Sequence, residues 1–356
     1  QTKILHNETR NGKEKMSMNT PKQTSHLKRE ILVRLIKAFL SDNFEENTRL
    51  LPYDMRPKGH EVPYRCCIYK ERAILRDRAV AGLGHSIEET DDSELLSTLA
   101  EKALEREVPD DKPLTVLTTA CKGCVPSRIY VTDLCQGCVA RPCENTCKFG
   151  AISVKDGKSV IDPAKCKNCG MCVQVCPYQA ITKIIVPCES ACPVGAITKG
   201  EDGHAQIDFD KCISCGKCVS ACPFGAVHEK SQIIDVLKNI KAGKKVIAMI
   251  APAIMGQLPC TPKQLRQAIL ELGFDDVYEV AQGADVTTKT EAAEFEERLE
   301  HGAEFMTTSC CAGYNELVDK HIPELKPFRS DTKTPLYYTA EIVKKEHPDA
   351  VTVFFS

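Results

Sequence analysis

Two short segments of this 356-residue chain each place four cysteines within eleven residues, and that spacing limits the possible folds more than any other feature. The segments read Cys166-x2-Cys169-x2-Cys172-x3-Cys176-Pro and Cys212-x2-Cys215-x2-Cys218-x3-Cys222-Pro. Sixteen of the 21 cysteines lie between Cys121 and Cys222, mostly a few residues apart, whereas a disulfide framework spreads cysteines to join distant loops. The polar N-terminus has no secretory signal. The cysteines are therefore predicted to be metal ligands in a reducing, cytoplasmic setting.

The same spacing favours iron–sulfur clusters over zinc. Three thiolates on one tight loop reach three irons of a [4Fe–4S] cube, and the cysteine before proline ligates the partner cluster, as in bacterial ferredoxins. A zinc site would usually take its four ligands from separated Cys-x2-Cys pairs. The net charge of −2 gives no reason to expect a nucleic-acid partner, and no apolar run is long enough to span a membrane.

A short phrase that closes each cysteine cluster occurs four times, which indicates internal repeats. The copies are Cys147-Lys-Phe-Gly-Ala-Ile, Cys176-Pro-Tyr-Gln-Ala-Ile, Cys192-Pro-Val-Gly-Ala-Ile and Cys222-Pro-Phe-Gly-Ala-Val. Short strands are expected after each copy, and again before Cys166 and Cys212. The longer gaps that follow copies one and three pair copy one with two and copy three with four. Two compact cluster-binding units are therefore predicted.

Cross-ligation within each unit assigns three clusters. Their predicted ligand sets are Cys135, Cys138, Cys143 and Cys176 for cluster one, Cys166, Cys169, Cys172 and Cys147 for cluster two, and Cys212, Cys215, Cys218 and Cys192 for cluster three. The Cys143 spacing is two residues longer than usual. The companion site of cluster three retains only Cys188 and Cys222, which are either relics or completed by Cys121 and Cys124. Three or four clusters are thus expected.

The predicted fold is α+β and multidomain. It has a helical N-terminal region, tandem ferredoxin-like units, and the first α/β lobe of a larger catalytic domain. The helical region includes Cys66 and Cys67, which are alternative cluster ligands but are expected to be buried core residues. The expected divisions are a disordered leader 1–25, the helical region 26–112, a two-cluster unit 113–187, a degenerate second unit 188–230 and the lobe 240–356.

A motif near the C-terminus makes one family resemblance specific. The segment Thr307-Thr-Ser-Cys310-Cys311-Ala-Gly-Tyr314, expected between a strand and a helix, resembles the first signature of [FeFe] hydrogenases, Thr-Ser-Cys-Cys-Pro-Gly-Trp. The differences at Ala312 and Tyr314 resemble a known subgroup that contains ferredoxin domains. With the cysteine units and the 250–254 segment, the resemblance covers about residues 135–356. It implies that Cys311 ligates the cubane of the H-cluster and that Cys310 exchanges protons with its two-iron subsite.

The resemblance also implies a cofactor-lining segment and a proton relay. Ala251 and Pro252 resemble the strand end that lines the H-cluster. Glu291, Glu294 and Arg298 share one face of a predicted helix and, with Ser330, match the family's relay by spacing. Without the resemblance, such a face would be taken for an ordinary solvated one. Acid–base groups in series are what proton delivery to a buried metal requires.

The family's second and third signatures, which supply the other H-cluster ligands, do not occur in this sequence. The expectation is therefore a hydrogenase cut before its second signature, inactive as the chain given. The complete protein would interconvert protons and hydrogen with an external ferredoxin-like partner, after assembly by hydrogenase maturation proteins. Two alternatives stay open: an electron-transferring or redox-sensing polyferredoxin, and a hydrogenase-like iron–sulfur assembly factor.

Overall fold

The computed structural model describes residues 23–60, 64–109 and 111–355. The disordered leader predicted over residues 1–25 falls outside that range except for its last three residues, which open the first helix. Within the described residues, no helix is long and apolar enough to cross a membrane. The chain is a mixture of helices and short strands.

Four helices form the N-terminal region: α1 (Gln23–Phe39), α2 (Phe44–Met55), α3 (Ile68–Gly82) and α4 (Leu96–Glu105). Their apolar faces enclose one core around Leu35, Leu75 and Leu99. Three of these helices were predicted, with ends displaced by up to four residues. The sequence gave no prediction of α2, because Pro52 lies inside the helix and proline normally interrupts one.

Paired short strands and one-turn helices build two cluster-binding units. In chain order these elements are β1 (Leu114–Val116), β2 (Arg128–Val131), α5 (Pro142–Thr146), β3 (Ile152–Lys155), β4 (Lys158–Ile161), α6 (Met171–Val175), β5 (Ile181–Ile184), α7 (Pro187–Ala191), β6 (Ile197–Lys199), β7 (Ala205–Ile207), α8 (Lys217–Ala221) and β8 (Val227–Glu229). The β3–β4 and β6–β7 hairpins match the strands predicted from the repeats. Helix α5 contacts α6, and α7 contacts α8, as the predicted pairing of the repeats requires.

The outer strands show that one unit is inserted into the other. Strands β2 and β5 pair antiparallel and close the first unit. Strand β1 precedes the first unit in sequence but pairs antiparallel with β8, with Leu114 opposite Glu229. Residues 114–116 therefore belong structurally with the second unit, although the sequence division assigned them to the first. The first unit interrupts the second between β1 and α7.

A small parallel sheet organises the C-terminal lobe. Its elements are α9 (Ile233–Lys241), β9 (Val246–Ile250), α10 (Pro262–Glu271), β10 (Asp276–Glu279), α11 (Val280–Glu300), α12 (Ala312–His321), α13 (Pro335–Glu346) and β11 (Val351–Phe355). Strand β9 is fully buried and lies between β10 and β11. Thr261 caps α10 through a reciprocal capping box with Gln264, as its sequence position predicted.

One strand prediction in this lobe is wrong. The residues before Thr307 form no strand; a single bridge joins Thr307 to Arg329, and the segment between β10 and β11 is otherwise helical or irregular. The apolar residues Phe305 and Phe328 stack face to face instead, with ring centroids 4.3 Å apart. A short apolar run does not by itself distinguish a strand from such a packed loop.

A buried ion pair fastens the helical region to the start of the C-terminal lobe. The Arg106 guanidinium contacts both carboxylate oxygens of Asp235 on α9, with its Nε 3.2 Å from Oδ1. It also donates to the carbonyl oxygens of Leu83 and Gly84 at the end of α3. Because the two charged side chains are only 15% and 10% exposed, the pair fixes how α4 and α9 meet.

Candidate iron–sulfur centres and redox site

Each of the three predicted cluster loops turns through a residue in the left-handed backbone region. The third position of Cys-x-x-Cys has φ of +58° at Gly137, +53° at Asn168 and +52° at Ser214. Glycine adopts this conformation without penalty, and asparagine does so more readily than most residues. Successive N–H groups in such a turn face one side and form a concavity for an anion. The three loops share a backbone suited to a negatively charged cluster.

Three cavities coincide with the three predicted ligand sets. They enclose about 370, 330 and 340 Å³, including space open to solvent. Their cysteine linings are Cys135, Cys138, Cys143 and Cys176 in the first, Cys147, Cys166, Cys169 and Cys172 in the second, and Cys192, Cys212, Cys215 and Cys218 in the third. No three His, Cys, Asp or Glu side chains of the described residues converge on a single-ion site. The structure thus brings together each set of four, Cys143 included.

Backbone N–H groups point at the thiol sulfurs. The amide of the alanine four residues later donates to Sγ of Cys147 at 3.4 Å, of Cys176 at 3.4 Å and of Cys192 at 3.2 Å. The N–H of Ser159 donates to Cys135 Sγ at 3.4 Å and is the main reason that the Cys135 pKa is lowered. These donors stabilise thiolates over thiols, and metal ligation requires the thiolate.

Burial has the opposite effect on other members of the sets. It raises the pKa of Cys218 to about 11, with the charge of Cys212 adding to the effect. It also raises the pKa of Cys172, where neighbouring cysteines again contribute. Crowding several thiolates in an apolar pocket is unfavourable without a cation among them, and coordination to iron supplies that cation.

The remaining cysteines of the two units also lie together. Cys188 is buried, and Cys121, Cys124 and Cys222 pack against the same apolar cluster. Burial raises the pKa of Cys188 to about 11, and the charge of Cys222 adds to this, so the two sulfurs are close. By contrast, Cys66 and Cys67 are exposed, which corrects the expectation that they are core residues. Cys67 caps α3 instead, where its Sγ accepts the Lys70 N–H at 3.5 Å.

The family-like motif lies at the start of α12. Cys310 and Cys311 are both exposed, and Cys311 is the residue that precedes the helix. Ser309 is buried and donates to the carbonyl oxygen of Thr332, which anchors the turn. Ala251 follows the carboxyl end of β9 and donates to the Phe355 carbonyl at 2.8 Å, and the exposed Pro252 opens a 3₁₀ turn. The carboxyl ends of parallel strands are where α/β sheets bind ligands.

Helix α12 is seated on the loop of the third cavity. Lys320 Nζ donates to the carbonyl oxygens of Phe209 and Cys212 at 3.0 and 2.9 Å. A methyl group placed on Gly313 would lie 3.4 Å from the Ile213 carbonyl oxygen and 4.0 Å from the Cys311 Sγ. The distance from that sulfur to that oxygen therefore cannot exceed the sum of these two separations. Cys311 is a close neighbour of the third cluster loop.

Glu294 on α11 is the centre of a dense hydrogen-bond network. Ser330 Oγ donates to it at 2.6 Å, Thr332 Oγ1 at 2.7 Å and the Asp331 N–H at 2.9 Å. The Arg298 guanidinium lies 2.7 Å from the same carboxylate. Burial raises the pKa of Glu294, but these donors and the positive charge outweigh it and lower the pKa to about 2. Three of the four predicted relay residues are thus in direct contact.

The fourth relay residue, Glu291, lies one turn earlier on α11. Its Oε1 is buried without a hydrogen-bond partner among the described residues. A buried carboxylate oxygen without a donor is unfavourable unless a water or another group reaches it. Sequence reasoning missed Thr332 and Asp331 as partners of Glu294, and Lys320 as the contact to the third loop. These are long-range or backbone contacts that leave no local pattern.

Comparison with known proteins agrees with this geometry. Residues 244–356 match the family of the iron only hydrogenase large subunit, C-terminal domain, and residues 159–182 and 205–228 match the 4Fe-4S binding domain. A periplasmic [Fe] hydrogenase large subunit of Nitratidesulfovibrio vulgaris is 36% identical over 197 residues, which are 52% of this chain and 44% of that protein. Iron hydrogenase 1 of Clostridium pasteurianum is 33% identical over 53% of this chain and 34% of its own.

A longer match extends further along the chain. The NADP-reducing hydrogenase subunit HndD of Solidesulfovibrio fructosivorans is 31% identical over 288 residues, which are 72% of this chain and 41% of that protein. The chain therefore spans less than half the length of each of these three curated relatives. A solved [FeFe]-hydrogenase structure aligns with 35% of this chain at 29% identity and a TM-score of 0.32.

The two matched 4Fe-4S segments contain cysteines of the second and third cavities, so the protein is an iron–sulfur oxidoreductase with ferredoxin-type motifs. The C-terminal match and the curated relatives then identify its family. The chain belongs to the iron-only, or [FeFe], hydrogenases. The resemblance drawn from the Ser-Cys-Cys motif is confirmed at the level of the family.

Proposed function

We propose that this chain carries electrons through cubanes at the three cysteine cavities toward the H-cluster region beside Cys311. The complete protein would use them to interconvert protons and hydrogen, with a ferredoxin-like partner as the external donor or acceptor. The observation that carries this proposal is the seating of α12 on the third cluster loop. It links the last predicted cluster directly to the one H-cluster ligand that this sequence contains.

The residues at the three cavities suit [4Fe–4S] clusters. Four cysteines line each cavity, and the concave loop backbone and alanine amides face the sulfurs. When bound, such clusters accept and release single electrons. The N–H groups aimed at the thiolates stabilise the more negative, reduced form, so Ala151, Ala180 and Ala196 would help to set the potentials.

Helix α12 would hold the exit of this electron chain in register. Its N-terminal residue follows Cys311, while Lys320 and His321 near its other end bond to carbonyls of residues 209, 211 and 212. A rigid helix bonded at both ends keeps the third cluster at a fixed distance from Cys311. Only this one of the four H-cluster cubane ligands occurs in the sequence, so no step at that cluster is derived.

For protons, we propose a route along Arg298, Glu294 and Ser330 toward Cys310. The Ser330 hydroxyl donates to Glu294, so a proton on the carboxylate could leave through the serine in the next exchange. Thr332 connects this network to the motif, because its carbonyl accepts from Ser309, the neighbour of Cys310. Glu291, with its unpartnered buried oxygen, would complete the path through a bound water.

The test uses the gene product expressed anaerobically together with hydrogenase maturation proteins. We expect hydrogen evolution with a reduced ferredoxin or viologen, and infrared bands of carbonyl and cyanide ligands. Cys310→Ser should abolish turnover and leave the iron content nearly unchanged, since its role is proton exchange. Cys260→Ser, in a half-buried thiol outside the cysteine units, is the matched control and should leave turnover intact.

Other outcomes separate the alternatives. Cubane signals in electron paramagnetic resonance spectra without hydrogen evolution or infrared bands would favour a polyferredoxin-type electron carrier or a redox sensor. Transfer of iron or sulfide from the chain to an apoprotein would favour an assembly factor. Unchanged turnover in Cys310→Ser would refute the proton role of that thiol.

A further inference from the structure

We propose that Cys121, Cys124, Cys188 and Cys222 bind a fourth [4Fe–4S] cluster, which pairs with cluster three in the second unit. This inference rests on the proposed function only in so far as the protein is an iron–sulfur electron carrier. The four cysteines come from three distant parts of the sequence, so the spacing alone cannot assign them. The structure relates each to a counterpart at cluster one.

The loop from Cys121 to Cys124 has the conformation of a cluster loop. Its third residue, Gly123, has φ of +59°, against +58° at Gly137, +53° at Asn168 and +52° at Ser214. All four Cys-x-x-Cys loops therefore make the same left-handed turn at the same position. A Cys-x-x-Cys loop with no ligand to surround has no reason to reproduce a turn that most residues avoid.

The same loop also packs on its unit as the cluster-one loop does. A methyl group on Gly137 would collide with the carbonyl oxygen of Gly157, in the turn of the β3–β4 hairpin. A methyl group on Gly123 would meet the carbonyl oxygen of Gly203, in the turn of the β6–β7 hairpin, at 3.4 Å. Both glycines let a cysteine loop approach the hairpin turn of its own unit. The insertion of the first unit separates Cys124 from α7 in sequence without separating them in the fold.

The other two cysteines occupy equivalent ligand positions. Cys188 is the second residue of α7, which begins Pro-Cys-Glu, and Cys143 is the second residue of α5, which begins with the same three residues. Both are buried. Cys222 Sγ accepts the N–H of the alanine four residues later at 3.4 Å, just as Cys176 does. Cys188 and Cys222 therefore match one helix ligand and the cross-ligand of cluster one.

Backbone bonds bring the loop to these two positions. The Leu117 N–H donates to the Ala226 carbonyl at 2.7 Å, which extends the β1–β8 pairing toward Cys222. The Cys121 N–H then donates to the Leu117 carbonyl at 2.9 Å, so Cys121 follows within one turn. All four thiols pack against one apolar cluster that includes Val116 and Val227.

Two arginines of the helical region supply positive charge beside the site. Arg78 is 3% exposed, donates to the Phe224 carbonyl at 3.2 Å and has no hydrogen-bond partner for Nε among the described residues. Arg65 donates to the Ala120 carbonyl and lies 5.2 Å from the centre of the Phe224 ring. Buried cations next to Cys121 and Cys222 would offset the net negative charge of a thiolate-ligated cluster. Without such a cluster, the buried Arg78 lacks a nearby anion to balance it fully.

The test is the iron and acid-labile sulfide content of the full chain, purified anaerobically. We expect about 16 iron atoms per chain, four for each of four clusters. The double variant Cys121→Ala/Cys124→Ala should retain about 12, and Cys188→Ala alone should lose a similar amount because all four thiols hold one cluster. The matched control Cys66→Ala/Cys67→Ala, in the exposed cysteine pair, should retain the full content.

Several results would overturn the fourth cluster. A wild-type content of about 12 iron atoms that Cys121→Ala/Cys124→Ala leaves unchanged would reject the site and leave the three-cluster relay intact. A loss of only about two iron atoms would indicate a [2Fe–2S] cluster there, contrary to the proposal. Loss of iron in the Cys66→Ala/Cys67→Ala control but not in the Cys121 variant would assign the ligands wrongly. Failure of the proposed function itself would instead appear as little iron in the wild type.

Discussion

Replacing Glu294 by glutamine should destabilise the C-terminal lobe in a pH-dependent way. The carboxylate is 17% exposed, accepts hydrogen bonds from Ser330, Asp331 and Thr332, and contacts Arg298. Its pKa falls from 4.5 to about 2, and each pKa unit is worth 1.36 kcal/mol between the two protonation states. The ionised network therefore stabilises the fold by on the order of 3 kcal/mol at neutral pH. Glu294→Gln should lose about 2 kcal/mol or more, since the amide keeps one acceptor oxygen.

The pH dependence follows from the sign of the shift. Because the folded-state pKa lies below the unfolded value, the stabilisation is complete above about pH 4.5 and is lost as the pH falls through about 2. The difference between wild type and Glu294→Gln should therefore be constant from pH 7 to pH 5 and shrink below that. Urea titrations followed by hydrogen exchange of α11 amides report this lobe separately from the cluster units.

A control variant on the same helix makes the result specific. Glu297 is exposed and outside this network, so Glu297→Gln should change the stability by no more than about 0.5 kcal/mol. A loss below about 0.5 kcal/mol in Glu294→Gln, or a loss of the same size at pH 7 and pH 3, would refute the reasoning. The first would mean that the donors are satisfied by water, and the second that shape rather than charge is at stake.

Three further changes test other parts of the fold. Gly137→Ala should cost the chain about four iron atoms by iron analysis, because its methyl group would collide with the opposite hairpin turn, whereas Gly170→Ala meets no atom within 4 Å and should retain more iron. Asp235→Ala should destabilise the junction of α4 and α9 by about 3–5 kcal/mol in urea unfolding, since it leaves Arg106 buried and unpaired. Lys320→Met should speed hydrogen exchange in α12 while leaving the iron content unchanged, because it removes two hydrogen bonds to the third cluster loop.

Local patterns account for what could be predicted from the sequence. Cluster loops, the hairpins that follow them and the capped helix after Thr261 each depend on residues a few positions apart. The left-handed turns follow from Gly137 and from the small polar residues at the equivalent positions. Even the three cavities follow, because cross-ligation is a rule about neighbouring repeats.

Long-range pairing accounts for what could not be predicted. The insertion of one unit into the other depends on Leu114 meeting Glu229, more than a hundred residues away, and three-residue strands carry almost no signal of their own. The sequence therefore left Cys121 and Cys124 without partners, and only the strand pairing returns them to the second unit. The network of Glu294 was found in outline through helical spacing, but its backbone donors were not.

The low pKa of Glu294 does not exclude it from a proton path. At pH 7 its protonated form lies about five pKa units above the ionised one, which corresponds to about 7 kcal/mol. If protonation of Glu294 were the only barrier, the limiting rate would still be about 10⁷ per second, far above typical turnover numbers of 1 to 10³ per second. A group can therefore be strongly held as an anion for stability and still pass protons during turnover. What the network fixes is the direction of transfer, because Ser330 donates to Glu294 on the side that connects through Thr332 to the Ser-Cys-Cys turn.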